Sequence, residues 1–230
     1  MPLKKIAGFI VLLLLQQYTK AQQLSQVTFS GATNFAYFSL QTNQNILLRI
    51  SAEGKLLEWG TEEQSIRNPN YFAPKLLPYM GRVEYFGAEA DSAFRNKPKS
   101  IGTCFITYYA SYDKKELVGK IKTIGSINMD YYSPFEDKYK TGKLKMLGSN
   151  NIDWYSSFDD ENSRGKLKTA GNTTITYYAV FDDKIIRGKI KNIGPFTYTW
   201  YTSYDRPEMK GALKSGNIRQ VINNVTFIIW

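Results

Sequence analysis

Acidic residues recur at a fixed spacing in the second half of the chain and are the first candidates for chemistry. They form the pairs Glu136-Asp137, Asp159-Asp160 and Asp182-Asp183, and single acids stand at the equivalent places, Asp113 and Asp205. Paired carboxylates can bind calcium or act as acid and base in glycoside hydrolysis. Calcium loops need further oxygen ligands, and glycosidases need two carboxylates in different environments, whereas a repeat gives every pair the same environment. We therefore interpret these acids as turn caps that pair with nearby lysines.

The rest of the composition argues against catalysis. The chain has no histidine and a single cysteine, Cys104. Histidine-based triads and the commonest zinc ligand are therefore excluded, and no glycine-rich phosphate loop is present. Cys104 alternates with Ile106 and Tyr108, a pattern typical of a small buried residue on a strand. We expect a protein that is not an enzyme, with no metal and no cofactor.

A column of tyrosines is the better candidate for binding. Its members are spaced 23 residues apart and are Tyr109, Tyr132, Tyr155, Tyr178 and Tyr201. If equivalent strands lie two apart in an antiparallel sheet, the rings are ~9.6 Å apart, too far to stack on each other. Such a column would form a platform for sugar rings or an extended partner. The alternative interpretation is that this face is covered, since half-buried tyrosines are common.

The repeat that positions these residues is written most clearly as GKIKTIG at 119–125, with equivalents GKLKMLG, GKLKTAG and GKIKNIG at steps of 23. A segment of period two follows each copy, which predicts a half-buried strand. We expect its large residues, such as Trp154 and Phe181, to lie in the core. The predicted core face carries Ile127, Met129, Tyr131, Ser133 and Phe135, then Ile152, Trp154, Ser156 and Phe158, then Ile175, Tyr177, Ala179 and Phe181, then Tyr198, Trp200, Thr202 and Tyr204.

Glycine-containing dipeptides join the two strands of each repeat. Gly125-Ser126, Gly148-Ser149 and Gly171-Asn172 suit a two-residue hairpin turn, whereas Gly194-Pro195 predicts a looser one. A parallel solenoid would instead stack the repeated lysines at ~4.8 Å, which is destabilising. The sequence therefore predicts an all-β fold, an antiparallel meander of 23-residue β-hairpin repeats that forms an elongated twisted sheet or a partly closed barrel.

We expect one β-repeat domain at residues 22–230. It comprises a diverged part at 22–95, regular repeats at 96–218 and a terminal strand at 219–230. Within the diverged part, residues 46–59 predict a hairpin and residues 61–80 predict a long loop, because three prolines fall there. The glycines, adjacent aromatics and GKL step of residues 97–214 resemble MORN-type β-hairpin repeat proteins. The resemblance implies a sheet that presents a binding surface, although Phe-Asp-Asp replaces the glycine-tryptophan step of that family.

Residues 1–21 predict a signal peptide with cleavage after Ala21, because Lys4 and Lys5 precede an apolar run that is too short to span a bilayer. Its removal takes three lysines away and lowers the formal charge from +10 to +7. We expect an exported protein, periplasmic, cell-surface or extracellular, with no integral membrane span in the mature chain. A basic protein outside the cytoplasm favours an anionic polysaccharide or an envelope protein as partner, and not nucleic acid.

Two alternatives remain for the function. One is an enzyme that acts on polysaccharide. The other is a small outer-membrane β-barrel, prompted by the aromatic last residue, Trp230. Spanning strands need ~9 to 11 residues, and the lysine-bearing segment between Gly119 and Gly125 is shorter and charged. We therefore favour a non-enzymatic binding or structural module at the cell envelope or outside the cell.

Overall fold

A computed structural model describes residues 23–63 and 75–230. The described part of the chain is all-β, with 44% of its residues in strands and 2% in helix. The predicted signal peptide and residues 64–74 of the predicted loop lie outside the described residues. Within the described ranges, none of the helical segments has the length and hydrophobicity needed to cross a bilayer.

The described residues form twenty strands and one turn of 3₁₀ helix, Pro207–Met209. The strands are β1 (Gln23–Ser30), β2 (Asn34–Gln41), β3 (Leu47–Ile50), β4 (Leu56–Thr61), β5 (Leu77–Pro78), β6 (Val83–Tyr85), β7 (Pro98–Ile101), β8 (Cys104–Tyr108), β9 (Ile121–Ile124), β10 (Ile127–Tyr131), β11 (Leu144–Leu147), β12 (Asn150–Trp154), β13 (Leu167–Ala170), β14 (Thr173–Tyr177), β15 (Ile190–Ile193), β16 (Phe196–Thr197), β17 (Thr199–Trp200), β18 (Leu213–Ser215), β19 (Arg219–Ile222) and β20 (Val225–Ile229).

The repeats build an eleven-stranded sheet in which β6 to β16 follow one another in chain order. Each neighbour pair is antiparallel, so the predicted meander is confirmed and the sheet is open, with β6 and β16 at its edges. Strands β17 and β18 continue the pattern as a separate pair. The two-residue hairpin turn is also confirmed, because Ile124 pairs with Ile127 across Gly125-Ser126.

The prediction of a looser turn at Gly194-Pro195 is wrong. Ile193 pairs with Phe196, so this turn has the same two residues as the others. Gly194 has a φ of +52°, which fits the first position of a type II′ turn, and the second residue of that turn has a negative φ. Proline has a negative φ by construction, so Pro195 fits the second position without strain.

A β-bulge recurs wherever the long strand of one repeat meets the short strand of the next. Tyr131 pairs with Leu144 and Asp130 pairs with Met146, so Lys145 is the extra residue. Because of this extra residue, Leu144 and Leu147 both face the core although they are three positions apart. The equivalent bulges contain Lys122, Lys168, Lys191 and Lys214.

The remaining strands form a seven-stranded sheet ordered β19-β20-β1-β2-β3-β4-β5. The hairpin predicted at 46–59 is confirmed as β3 and β4. In place of the single terminal strand predicted at 219–230, the structure has two antiparallel strands, β19 and β20. Strands β1 and β20 pair in parallel, which the antiparallel meander did not predict.

The two sheets share one hydrophobic core. Trp154 of the repeat sheet is 1% exposed and makes edge contacts with Phe35 and Phe38 of β2, at 5.3 and 6.3 Å between ring centroids. Main-chain bonds also join the sheets, since Leu144 N–H donates to the Ala52 carbonyl at 2.7 Å and Ile190 N–H donates to the Ala32 carbonyl at 2.8 Å. A side chain at Gly54 would place Cβ 2.0 Å from the Tyr131 hydroxyl, so this contact requires glycine.

The predicted core face is right for the strand residues and wrong for its last aromatic. Ile127, Met129, Tyr131 and Trp154 are buried, as predicted. Phe135, Phe158 and Phe181 are each 96% exposed and Tyr204 is 93% exposed, so they are not core residues. The period of two stops where the strand stops, at Tyr131 in the first of these repeats, and the following residues form a turn.

Candidate functional site

The most exposed feature of the repeats is a row of aromatic rings on the loops that follow the long strands. We call these residues the rim aromatics, and they are Tyr112, Phe135, Phe158, Phe181 and Tyr204. They lie 23 residues apart, so their spacing along the sheet is about two strand separations, ~9.6 Å. Large apolar side chains exposed together are typical of an interaction surface.

The rim aromatics are exposed because a tight turn fixes each of them at its tip. In the turn 133–136, the Glu136 N–H donates to the Ser133 carbonyl at 3.3 Å, and the Ser133 N–H donates to a Glu136 carboxylate oxygen at 2.7 Å. The aromatic residue stands third in this four-residue turn, with its backbone fixed from both sides. Asp113, Asp159, Asp182 and Asp205 close the equivalent turns.

The second acid of each pair joins one repeat to the next. Asp137 accepts bonds from the Ser157 N–H at 2.9 Å and from the Ser157 hydroxyl at 2.7 Å, and Asp183 accepts equivalent bonds from Ser203. The acids are therefore turn caps, as predicted. Among the repeats that the structure describes, the junction between Lys114 and Pro134 lacks this bond, because lysine replaces the acid and proline has no N–H to donate.

These bonds also bear on the alternative of acid catalysis. Hydrogen bonds from the Ser157 N–H and hydroxyl lower the pKa of Asp137 to about 2. The Ser203 hydroxyl lowers the pKa of Asp183, and Lys145 lowers that of Glu136. A general acid in glycoside hydrolysis needs a raised pKa, whereas the pKa values of these carboxylates are lowered.

Basic side chains stand beside the rim aromatics. The Arg164 Nε donates to the carbonyl of Asp159, next to Phe158, at 3.0 Å, and the Arg187 Nε donates to the carbonyl of Asp182, next to Phe181, at 2.8 Å. Phe158 and Phe181 therefore each have a guanidinium held beside them. A shallow cleft of about 470 Å³ lies between two successive rings, lined by Phe181, Asp183, Lys184, Arg187, Ser203 and Tyr204.

Each tyrosine of the predicted platform directly follows a long strand and is half-buried. Tyr109, Tyr132, Tyr155 and Tyr178 pack against the core. Their hydroxyl groups reach the next repeat, since Tyr155 donates to the Ile175 carbonyl at 2.8 Å and Tyr178 donates to the Tyr198 carbonyl at 2.9 Å. Bulge lysines lie over the rings, with 5.2 Å from Lys168 Nζ to the Tyr155 centroid. The full column, Tyr109, Tyr132, Tyr155, Tyr178 and Tyr201, carries such a lysine at 5.2 to 5.5 Å.

A platform role for this column stays a prediction. The lysines at the bulges occupy the ring faces that a ligand would need, and the hydroxyls of four tyrosines donate to carbonyls of the following repeat. These contacts connect one repeat to the next, which is a structural role. The rim aromatics offer bare rings, and we therefore regard them as the stronger candidate site.

Sequence reasoning missed the rim aromatics because it extended the strand pattern by four residues. One signal was available: a small residue followed three positions later by an acid, as in Ser133 and Glu136, is a capped turn. An aromatic residue inside such a turn cannot continue the buried face.

Within residues 23–63 and 75–230, cysteine, aspartate and glutamate form no group of three suited to holding a metal ion. Cys104 is buried as predicted, and burial raises its pKa to about 11. Comparison of the chain with protein-family models, with curated proteins and with solved structures finds no match.

Proposed function

We propose that this protein is an exported, non-enzymatic binding module of the cell envelope or the extracellular space, and that it holds a linear anionic polysaccharide along the rim aromatics. The observation that carries the proposal is the row of nearly bare rings at a constant step, in which Phe135, Phe158 and Phe181 are each 96% exposed. A regular row fits a polymer that presents the same chemical group again and again.

Charge supports an anionic polymer. The capping carboxylates of the rim loops accept hydrogen bonds from their own loop or from the loop of the next repeat, whereas Arg164 and Arg187 are exposed beside the rings. Each ring would contact the apolar face of a sugar, and each guanidinium would pair with an acidic group. Because every repeat supplies one similar weak contact, affinity would grow with the number of rings engaged.

The spacing also favours a second partner class, a proline-rich segment of an envelope protein. A polyproline II helix repeats every three residues, or ~9.3 Å, close to the ~9.6 Å step of the rim. Aromatic-lined surfaces bind such helices in known recognition modes.

The test is binding of polygalacturonate to the mature chain, measured by calorimetry, with neutral dextran as the comparison polymer. Replacing Phe135, Phe158 and Phe181 with serine, one after another, is expected to weaken binding in steps of similar size. Phe105→Ser is the matched control, because Phe105 is 61% exposed on the sheet face outside the rim. Equal binding of dextran, or loss of binding in Phe105→Ser alone, would refute the proposal.

The same variants separate the other possibilities. Stepwise loss for an oligoproline peptide, with none for polygalacturonate, would select the protein partner. Release of reducing sugar ends by the intact chain, abolished by one carboxylate substitution, would instead establish the polysaccharide-active enzyme.

A further inference from the structure

A second surface feature is a cleft where the two sheets meet. This sheet-junction cleft has a volume of about 450 Å³. The seven-stranded sheet contributes Leu56 and Trp59 of β4, and the repeat sheet contributes Tyr108 of β8 and the adjacent Val118. Its walls are mostly apolar, and its size falls within the range of small-molecule sites.

Basic residues also line this cleft. The cleft is lined by Lys55, Lys97 and Lys120, against one carboxylate, that of Glu53. The formal charge of the lining is therefore positive. Small-molecule sites commonly combine apolar walls with a few charged groups that orient the ligand.

Lys97 is held in the cleft wall by two contacts. Its Nζ donates to the Gly119 carbonyl at 2.5 Å and lies 5.1 Å from the centroid of the Tyr108 ring. An ammonium has three N–H donors, and the carbonyl accepts one of them. Burial lowers the pKa of Lys97, and the positive charge of Lys55 lowers it further. A negative charge in the cleft would stabilise both ammonium groups.

We propose that the sheet-junction cleft binds a small organic anion, a carboxylate joined to an aromatic ring or a short alkyl chain. The carboxylate would pair with Lys55 and Lys97, and the apolar part would lie against Trp59 and Tyr108. Inorganic phosphate lacks the apolar part and is expected to bind much more weakly. This site is independent of the rim, so either proposal stands or fails alone.

The probe is phenylacetate, titrated into the intact mature chain by calorimetry, with phenylacetamide as its neutral counterpart. We expect saturable binding of phenylacetate and none of the amide in the same range. Saturation is also expected to change the fluorescence of Trp59, which lines the cleft.

Two substitutions test the location. Lys55→Gln removes an exposed charge of the cleft and is expected to weaken binding by about two- to fivefold, the range of an exposed ion pair. Val118→Asp adds a negative charge to the wall and is expected to weaken binding by about fivefold or more. Lys191→Gln removes the same charge from the distant outer face and is expected to leave binding unchanged.

The outcomes that overturn the proposal are equally definite. The first is the absence of a binding heat up to ~10 mM phenylacetate, a concentration far above the range of a specific site. The second is equal affinity for phenylacetate and phenylacetamide. The third is equal weakening of phenylacetate binding by Lys55→Gln and by Lys191→Gln. Unfolding curves of each variant that match the parent chain ensure that a loss of binding reflects the cleft. Serine variants of the rim are expected to bind phenylacetate normally.

Discussion

Replacement of Trp154 by alanine tests the distinction between core and rim aromatics. Trp154 is 1% exposed, its ring contacts Phe35 and Phe38, and its indole N–H donates to the Leu144 carbonyl at 2.7 Å. Loss of a buried large aromatic costs about 3 to 5 kcal/mol, and the carbonyl that loses its donor adds to that cost. We expect Trp154→Ala to lower the free energy of unfolding by ~5 kcal/mol, equivalent to a Tm decrease of roughly 10 to 20 °C in a chain of this size.

The matched control is Phe158→Ala, four positions further along the same repeat. Because Phe158 is 96% exposed, we expect a change within ~0.5 kcal/mol. Trp154→Phe keeps most of the buried ring but loses the indole hydrogen bond, so an intermediate loss of ~2 kcal/mol is expected. Urea unfolding followed by circular dichroism gives all three values. A loss above ~2 kcal/mol in Phe158→Ala, or below ~1 kcal/mol in Trp154→Ala, would refute this assignment of the two rings.

Three further outcomes follow from the repeat contacts. Gly188→Ala is expected to cost ~1 to 2 kcal/mol in urea unfolding, because Gly188 has a φ of +71° and a Cβ there would lie 2.6 Å from the Lys166 Nζ; a neutral result would contradict the turn geometry. The double substitution Lys114→Asp with Pro134→Ser is expected to supply the missing acid-to-serine bond and raise the free energy of unfolding by ~1 kcal/mol, whereas neither single change should do so. Burial lowers the pKa of Lys166 to about 8, so unfolding takes up a proton at this lysine between pH ~8 and ~10. Burial raises the pKa of Tyr198 to about 12, so unfolding releases a proton from this tyrosine above pH ~10. Stability should therefore rise with pH to about 10 and then fall, and a monotonic decrease from pH 8 would contradict this.

The repeat sheet could be predicted because the turn residues, the alternation of the strands and the spacing of the lysines all indicate the same strand order. A glycine at each hairpin turn, alternating strand residues and the unfavourable stacking of lysines in a solenoid led to the same meander. The seven-stranded sheet could not be predicted to the same extent. The pairing of β1 with β20 joins residues about 200 positions apart, for example Val27 with Phe227, and no local pattern specifies a contact of that length.

The candidate site was predictable only in part, for a similar reason. Alternation identifies which side of a strand faces the core, but it does not state where the strand ends. Phe158 and Trp154 are an even number of positions apart, so alternation assigns both to the core face. The turn between Ser156 and Asp159 instead leaves Phe158 exposed while Trp154 is buried. The lysines over the tyrosine column follow from a bulge, and a bulge adds one residue without an obvious signature in the sequence.

The main-chain bonds between the two sheets limit how the number of repeats in this chain can change. In an open array each unit contacts only its neighbours, so units can be gained or lost with little disturbance. Here the loops of the seven-stranded sheet meet the array at Leu144 and at Ile190, two repeats apart. Inserting or deleting one 23-residue unit between these points would move one anchor away from its partner. The seven-stranded sheet thus fixes the number of repeats between Leu144 and Ile190. We expect repeats to be gained or lost only outside these two anchors.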